Sequence, residues 1–417
     1  MRYTESLRYL NSFLNLERIT YLPDNRLWNL ARMRLLLDWA GHPEKYFFPI
    51  LIAGTKGKGS TGFFLESILS SAKISCGFYS SPHLEDPRER IRIGGKIISQ
   101  SDWNKGLAHI RRILGRRPLP SRLGNFTYFE IMTLLAMMVF KKAGIRVGIF
   151  EVGMGGRLDA TNVLDAKIAV VTPIHFDHEA FLGYTIPKIA REKAAIIHAG
   201  SYVVLSQQKP AANREILKRS RKMRAHIFHA APAKEFRLGL AGEFQKTNAG
   251  AAVCAANILR THFRFLIPKA AIRKGLSKKN WPGRLEFIRR RINWLLDGAH
   301  NPASVQALTR HLEHEYPKRK RLLVFGTSRD KRSDKMLATL SRYFDDCILT
   351  PTANPRSQEL GVLLNQARGK FTRIFPVGSS DQALELASRV ADGNTLAVVA
   401  GSFYLIGEAR RRLRGHA

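Results

Sequence analysis

Strand-like and helix-like segments alternate along almost the whole chain, the pattern of an α/β protein built on a mainly parallel sheet. Residues 50–53 form a short apolar run that leads into a glycine-rich turn, and helical periodicity follows from Ser60 to Ser71. Arg90-Ile91-Arg92-Ile93 alternates and meets Gly94-Gly95, a hairpin signal. Thr127 and Glu130 stand at capping-box spacing ahead of an apolar helix that runs towards Ala143. Residues 147–152 read as a mostly apolar strand ending in glycines. From about Trp294 a second βα series begins, with strands expected near 294–296, 321–325, 347–349, 372–375 and 396–399. The basic stretch 278–284, holding Pro282 and Gly283, is the expected hinge between two halves.

Length agrees with that division, because 417 residues exceed what one hydrophobic core usually organises. Cys76, Cys254 and Cys347 are odd in number and lack zinc-ligand spacing, which argues against a disulfide framework or a structural zinc site and fits a reducing cytoplasm. The first residues show no continuous apolar segment of a secretion signal. The longest largely apolar stretch, 131–140, is about half of the ~20 residues needed to cross a bilayer, so a soluble protein with no membrane partner is expected. The formal charge of +35 would suit nucleic acid, anionic lipid, a nucleotide or a polyglutamate tail. Its basic pairs are scattered, from Arg111-Arg112 to Arg410–Arg412, which describes a basic solvated surface more than one binding arm.

The strongest chemical signal is Gly54-Thr55-Lys56-Gly57-Lys58-Gly59-Ser60-Thr61, between a strand and a helix, where backbone N–H groups and a helix N-terminus can hold phosphates. The pattern G-x-x-x-x-G-K-[ST] is not met: Gly59 follows Lys58 where a hydroxyl residue is required, and Ile occupies position 52. Taken alone, the segment could be a glycine-rich turn with an incidental lysine. Glu151, at the carboxyl end of an expected strand, sits where α/β sheets place ligands. Mg²⁺ takes hard oxygen ligands and keeps several waters, so one carboxylate and a hydroxyl beside phosphates would suffice. Singly, Ser81 reads as a turn residue before Pro82, His178 as a structural histidine and Lys193 as a solvated helix residue. By the same standard Arg284 is one arginine on a basic surface, Asp297 a strand-end cap, and Asp159 an Asx-turn residue.

The loop variant resembles that of the Mur-ligase superfamily, which reads GT[NK]GK, and its GKGS continuation is similar to that of folylpolyglutamate synthases. The resemblance extends over nearly the whole chain: Ser80 to Leu84 with Arg88 to Ile91, Glu151 to Asn162, Asp177-His178, Arg191 to Lys193, Gln245 with Asn248, Pro282 to Arg284, Asp297 to Pro302, and Gly401 to Tyr404. It departs at Phe244, where the family's GxHQ pattern has histidine. The resemblance implies an N-terminal P-loop-like ATPase domain with a mainly parallel sheet that binds ATP and folate, residues 1–280. It also implies a smaller C-terminal Rossmann-like α/β glutamate-ligase domain, residues 281–417.

It further implies roles. Thr55, Lys56, Gly57, Lys58, Gly59, Ser60, Asn248, Arg284 and Asp297 would hold ATP. Ser81, Glu151 and His178 would hold Mg²⁺, one ion or two. Lys58, Glu151, His178 and Lys193 would be catalytic, with Lys193 matching a lysine that the family carries as a carbamate. Thr127, Leu158, Asp159 and Ala160 would contact pteridine or pteroate, where the Asp159 carboxylate can accept ring N–H groups. His300 and Ser402 would lie near incoming glutamate. The expected reaction is ATP-dependent ligation of L-glutamate to a folate or dihydropteroate carboxylate through an acyl phosphate, by a cytoplasmic monomer. The alternatives are another Mur-type ligase acting on peptidoglycan precursors and a nucleic-acid-dependent ATPase. The second would leave 297–302 unexplained.

Overall fold

The computed structural model of the chain describes residues 1–19, 29–117, 119–279 and 281–415. The first of its two sheets contains β1 (Phe48–Ala53), β2 (Cys76–Tyr79), β3 (Ile91–Ile93), β4 (Lys96–Ile97), β5 (Val147–Glu151), β6 (Ile168–Val171), β7 (Tyr202–Leu205) and β8 (His226–His229). Their order is β4-β3-β2-β5-β1-β6-β7-β8. Neighbours from β2 to β8 are parallel, and the expected hairpin supplies the antiparallel edge, β3 and β4. Central strands of such a sheet are covered on both faces, which is why they read as apolar runs and not as alternations. In β1, Ile50 and Ile52 enter the core beneath the helices Lys58–Ser71 and Phe244–His262, whereas Leu51 and Ala53 enter the core beneath Tyr128–Lys142.

The second sheet holds β9 (Glu286–Arg289), β10 (Asn293–Leu296), β11 (Arg321–Phe325), β12 (Asp346–Leu349), β13 (Arg373–Pro376) and β14 (Leu396–Ala400), in the order β13-β12-β11-β14-β10-β9. It is parallel except for β9, which pairs antiparallel with β10. The five strands anticipated here all form. β9 was not anticipated: an edge strand of Glu-Phe-Ile-Arg shows only two adjacent apolar residues and interrupts the βα rhythm. Within the expected hinge, Asn280 lies outside the described residues. Trp281 stacks on Phe63 and Phe78, with ring centroids 5.2 and 5.8 Å apart, and so anchors the connection to the first domain.

The domains touch directly. A Cβ on Gly407 would lie 2.1 Å from the Leu84 carbonyl oxygen, so the helix Phe403–Arg414 can rest on the loop after β2 only because no side chain intervenes. Beside it Arg410 pairs with both Glu85 and Glu286. The loops leaving β1, β5 and β6 and those leaving β10, β11 and β14 line one shared space, the crevice outside the carboxyl ends of strands where open α/β sheets hold ligands. Among the described residues no helix is long and apolar enough to cross a membrane.

Candidate active site

The loop after β1 owes its shape to Gly57, whose φ of +82° lies in the left-handed region. A Cβ there would meet Asn248 Oδ1 at 2.1 Å, so glycine is required both for the turn and for the approach of Asn248. Thr55 Oγ1 donates to the His175 carbonyl at 3.0 Å and accepts from the His175 N–H at 3.0 Å, fastening this loop to the one after β6. The helix begins at Lys58, the fifth residue of the segment Gly54 to Thr61. Its first N–H groups have no acceptor within the helix and front the cavity. Burial draws the Lys56 amine down to about 7, against the pull of Asp177 and Asp297.

Glu151 ends β5 and is buried. Its carboxylate has loose partners: Lys58 Nζ at 3.8 Å from one oxygen and the Ser81 N–H at 3.4 Å from the other. Burial raises its proton affinity, opposed by Lys58 and Arg284. A buried carboxylate this poorly satisfied, beside the glycine-rich loop and Ser81, fits a hard cation. His178 lines the same space from the loop after β6; burial, reinforced by Lys331, lowers its imidazole to about 3, leaving it neutral and able to ligate. Among the described residues no three His, Cys, Asp or Glu side chains are arranged to hold a metal ion by themselves, so any cation here would rely on Ser81 and on phosphate oxygens as well. Lys193 is not on a solvated face: it is 4% exposed, inside the helix Ile186–Ala194, and burial together with Lys58 lowers its amine to about 7.

The second domain closes the other side. The Arg284 guanidinium lies 4.5 Å from the centroid of the Phe403 ring, and Asp297 accepts the Leu285 N–H at 2.9 Å. Burial weakens proton retention by Arg284 and raises that of Asp297, and each opposes the shift of the other. Asn248 donates to Gln245 Oε1 at 2.8 Å. His300 Nδ1 lies 2.7 Å from the Gly298 carbonyl. Ser402 caps its helix by accepting the Tyr404 N–H at 3.2 Å.

Every residue nominated from the sequence lines a single cavity of about 640 Å³, from Thr55 through Ser60, Ser81, Thr127, Glu151, Leu158, Asp159, Ala160, His178, Lys193, Asn248, Arg284 and Asp297 to His300 and Ser402. Thr127 and Asp159 also carry local structure. Thr127 forms the expected capping box with Glu130, and Asp159 accepts the Thr161 N–H at 3.0 Å, the Thr161 hydroxyl at 2.6 Å and the Met154 N–H at 2.9 Å. The Asx-turn role of Asp159 is therefore observed, and it leaves at most one lone-pair site of the carboxylate for a ligand.

The cavity also contains residues to which the sequence reading assigned no role: Glu17, His175, Asp177, Asp330, Lys331 and Arg356. Asp177 had a signal, its place beside His178. Lys331 had none, because it lies in a charged loop like many on this basic chain.

Residues 52–229 match the Mur ligase middle domain, and residues 283–403 match the Mur ligase, glutamate ligase domain. The chain is 31% identical over 414 residues to the dihydrofolate synthase/folylpolyglutamate synthase of Bacillus subtilis (strain 168), covering 92% of this chain and 95% of that protein. It superposes on Mycobacterium tuberculosis folylpolyglutamate synthase complexed with ADP with a TM-score of 0.89 at 29% identity, over 99% of this chain and 98% of the other. For E. coli FolC in complex with DHPP and ADP the TM-score is 0.83 at 28% identity, over 100% of this chain and 98% of that one. Sequence and fold agree, and the chain belongs to the dihydrofolate synthase/folylpolyglutamate synthase family of Mur ligases.

Proposed function

We propose that this chain uses ATP to join L-glutamate to the carboxylate of a folate or dihydropteroate, as a folylpolyglutamate synthase, a dihydrofolate synthase or both. The observation that carries this reading is the single cavity, in which a phosphate-binding loop and an under-coordinated buried carboxylate from one domain face Arg284, Asp297 and His300 from the other. The names of the relatives support the folate acceptor over a peptidoglycan precursor.

A carboxylate cannot acylate an amine at neutral pH, because oxide would have to leave. Transfer of the γ-phosphoryl group of ATP to that carboxylate gives ADP and an acyl phosphate. The glutamate α-amine then attacks the acyl carbon, the C–N bond forms, the amine loses a proton and phosphate departs. Amides of the 55–60 loop hold the phosphates, and Lys58 offsets charge on the transferred group. Ser81, Glu151 and His178 would hold Mg²⁺, which when bound supplies further charge stabilisation on the phosphoryl oxygens.

Lys193, with its amine lowered to about 7, is substantially unprotonated near neutrality and can add to CO₂ as a carbamate, the form that would help hold a second ion. Asn248, Arg284 and Asp297 grip the nucleotide from both sides, so closure would exclude water from the acyl phosphate. Thr127, Leu158, Asp159 and Ala160 face the pteridine or pteroate, while His300 and Ser402 face the glutamate. No enzyme nucleophile is required, and burial holds the thiols of Cys76 and Cys347 protonated. We take the protein to work as a cytoplasmic monomer whose ATP- and folate-binding part ends near residue 280.

The test offers purified protein MgATP and glutamate, with dihydropteroate and tetrahydrofolate in separate reactions, and measures ADP release. Activity with one or both acceptors, lost in Lys58→Ala with the fold retained, is the expected result. Failure to consume ATP with either acceptor would refute the reading.

A further inference from the structure

We propose that Asp177 is a positioning residue that sets the glutamate side of the site against the phosphoryl-transfer side, acting through Lys331 and Asn301; this rests on the ligase reading above. Asp177 lies in the loop after β6, and its carboxylate is buried. Oδ1 accepts the His178 N–H at 3.0 Å and the Lys331 ammonium at 2.8 Å. Oδ2 accepts the Asn301 amide at 3.3 Å, with His300 Nε2 at 3.7 Å. One side chain thereby joins its own loop to residues from two loops of the second domain. Lys331 is itself steadied by Asp330 at 3.2 Å, which pairs with Arg356 at 2.7 Å, and Arg332 bonds Glu179 at 2.8 Å alongside.

Burying an ion pair removes two charges from water, so such a pair is poor general adhesive, and its best-attested use is to specify one geometry. Here that geometry includes the residue next to it. His178 has φ +52°, a left-handed conformation that a non-glycine residue holds only where its surroundings impose it. The oxygen that fixes the His178 N–H is the one that binds Lys331. Seating of the second domain and the aim of His178 are therefore one geometric state. The Asn301 amide, which bonds the other oxygen, belongs to the residue that caps the helix Pro302–Glu315, so the start of that helix is set by the same carboxylate.

The consequence concerns capture of the acyl phosphate. Phosphoryl transfer draws most of its groups, the 55–60 loop, Glu151 and His178, from the first domain, with Arg284 and Asp297 from the second; amine attack needs in addition the glutamate presented from the second. Weakening the Asp177 contacts should leave the first step less affected than the second. A misplacement of about 1 Å costs on the order of a hundredfold in such a step. Water then competes for the intermediate, and ATP is hydrolysed without an amide being formed.

The experiment compares wild type, Asp177→Asn, Lys331→Arg and Asn301→Ser, measuring ADP released and radiolabelled glutamate incorporated in the same reactions, with glutamate KM, kcat and ADP affinity. The wild-type arm tests the ligase reading by itself: no incorporation there sinks that reading, whatever the variants do. With wild type active, Asp177→Asn is expected to lower kcat for amide formation by about a hundredfold and to raise glutamate KM. The ratio of ADP released to glutamate incorporated should rise severalfold, while ADP affinity stays within about threefold. Lys331→Arg, which keeps the charge, should retain most of the coupling. Should Asp177→Asn not fold, Asn301→Ser decides: serine still caps the helix but is too short to reach Asp177, and a smaller loss of coupling is expected. Wild-type coupling and glutamate KM in a folded Asp177→Asn, or in Asn301→Ser if that variant must stand in, would overturn the inference.

Discussion

Replacing Gly57 with alanine tests the phosphate loop most directly. At φ +82° an L-residue is disfavoured by about 1–2 kcal/mol. The new methyl would also lie 2.1 Å from Asn248 Oδ1, so that amide must swing away. Its 2.8 Å hydrogen bond to Gln245 would be lost, at a further cost of about 1 kcal/mol. The combined penalty is about 2–3 kcal/mol. If the loop keeps its form, the penalty appears in global stability, read by urea unfolding of the ligand-free protein. If the loop relaxes, it appears as a weakening of ADP binding by about thirty- to 150-fold, read by calorimetric titration. Gly94→Ala is the control: it too has positive φ, +56°, but nothing lies within 4 Å of its Cβ, so it should show only the conformational cost and unchanged ADP affinity. Wild-type stability together with wild-type ADP affinity in Gly57→Ala would refute the reasoning.

Glu151→Gln keeps the shape of the side chain but not its charge; turnover should fall at least a hundredfold, and the Mg²⁺ concentration giving half-maximal ADP release should rise, with far-UV circular dichroism unchanged. Burial lowers both Lys56 and Lys193 to about 7, below their unfolded value near 10.4, so the unfolded chain binds more protons between those limits. Stability of the ligand-free protein should therefore rise as pH increases from about 7 towards 10, and Lys193→Met should flatten that slope; a denaturant series across pH with identical slopes would count against it. Arg90 is fully buried and holds Glu17 through bonds of 2.8 and 2.6 Å. Arg90→Met should destabilise by about 3–5 kcal/mol, and adding Glu17→Gln should recover part of the loss, as measured by chemical unfolding.

The βα rhythm, the hairpin at Gly94-Gly95 and the capping box at Thr127 were legible because each is written within a few neighbouring residues. Many of the cavity residues follow the carboxyl ends of parallel strands, which deliver such segments to one edge; Thr127, Lys193, Asn248 and Arg284 do not, and were named only through the family resemblance. Length and the basic stretch 278–284 were enough to suggest two domains. Other features required the folded chain. Whether Lys193 met solvent or the interior depended on what packed over its helix, and Asp159 showed its internal partners only once 153–161 had closed into a turn. Glu17 and Arg90 lie 73 positions apart, and Asp177 and Lys331 lie 154 apart. A charge that pairs over such a separation leaves no local periodicity, and on a chain with 68 lysines and arginines nothing marks the few that will be buried. Local chemistry selected the strands, turns and glycine-rich loop; the meeting of two independently patterned sheets decided which distant charges would share one crevice.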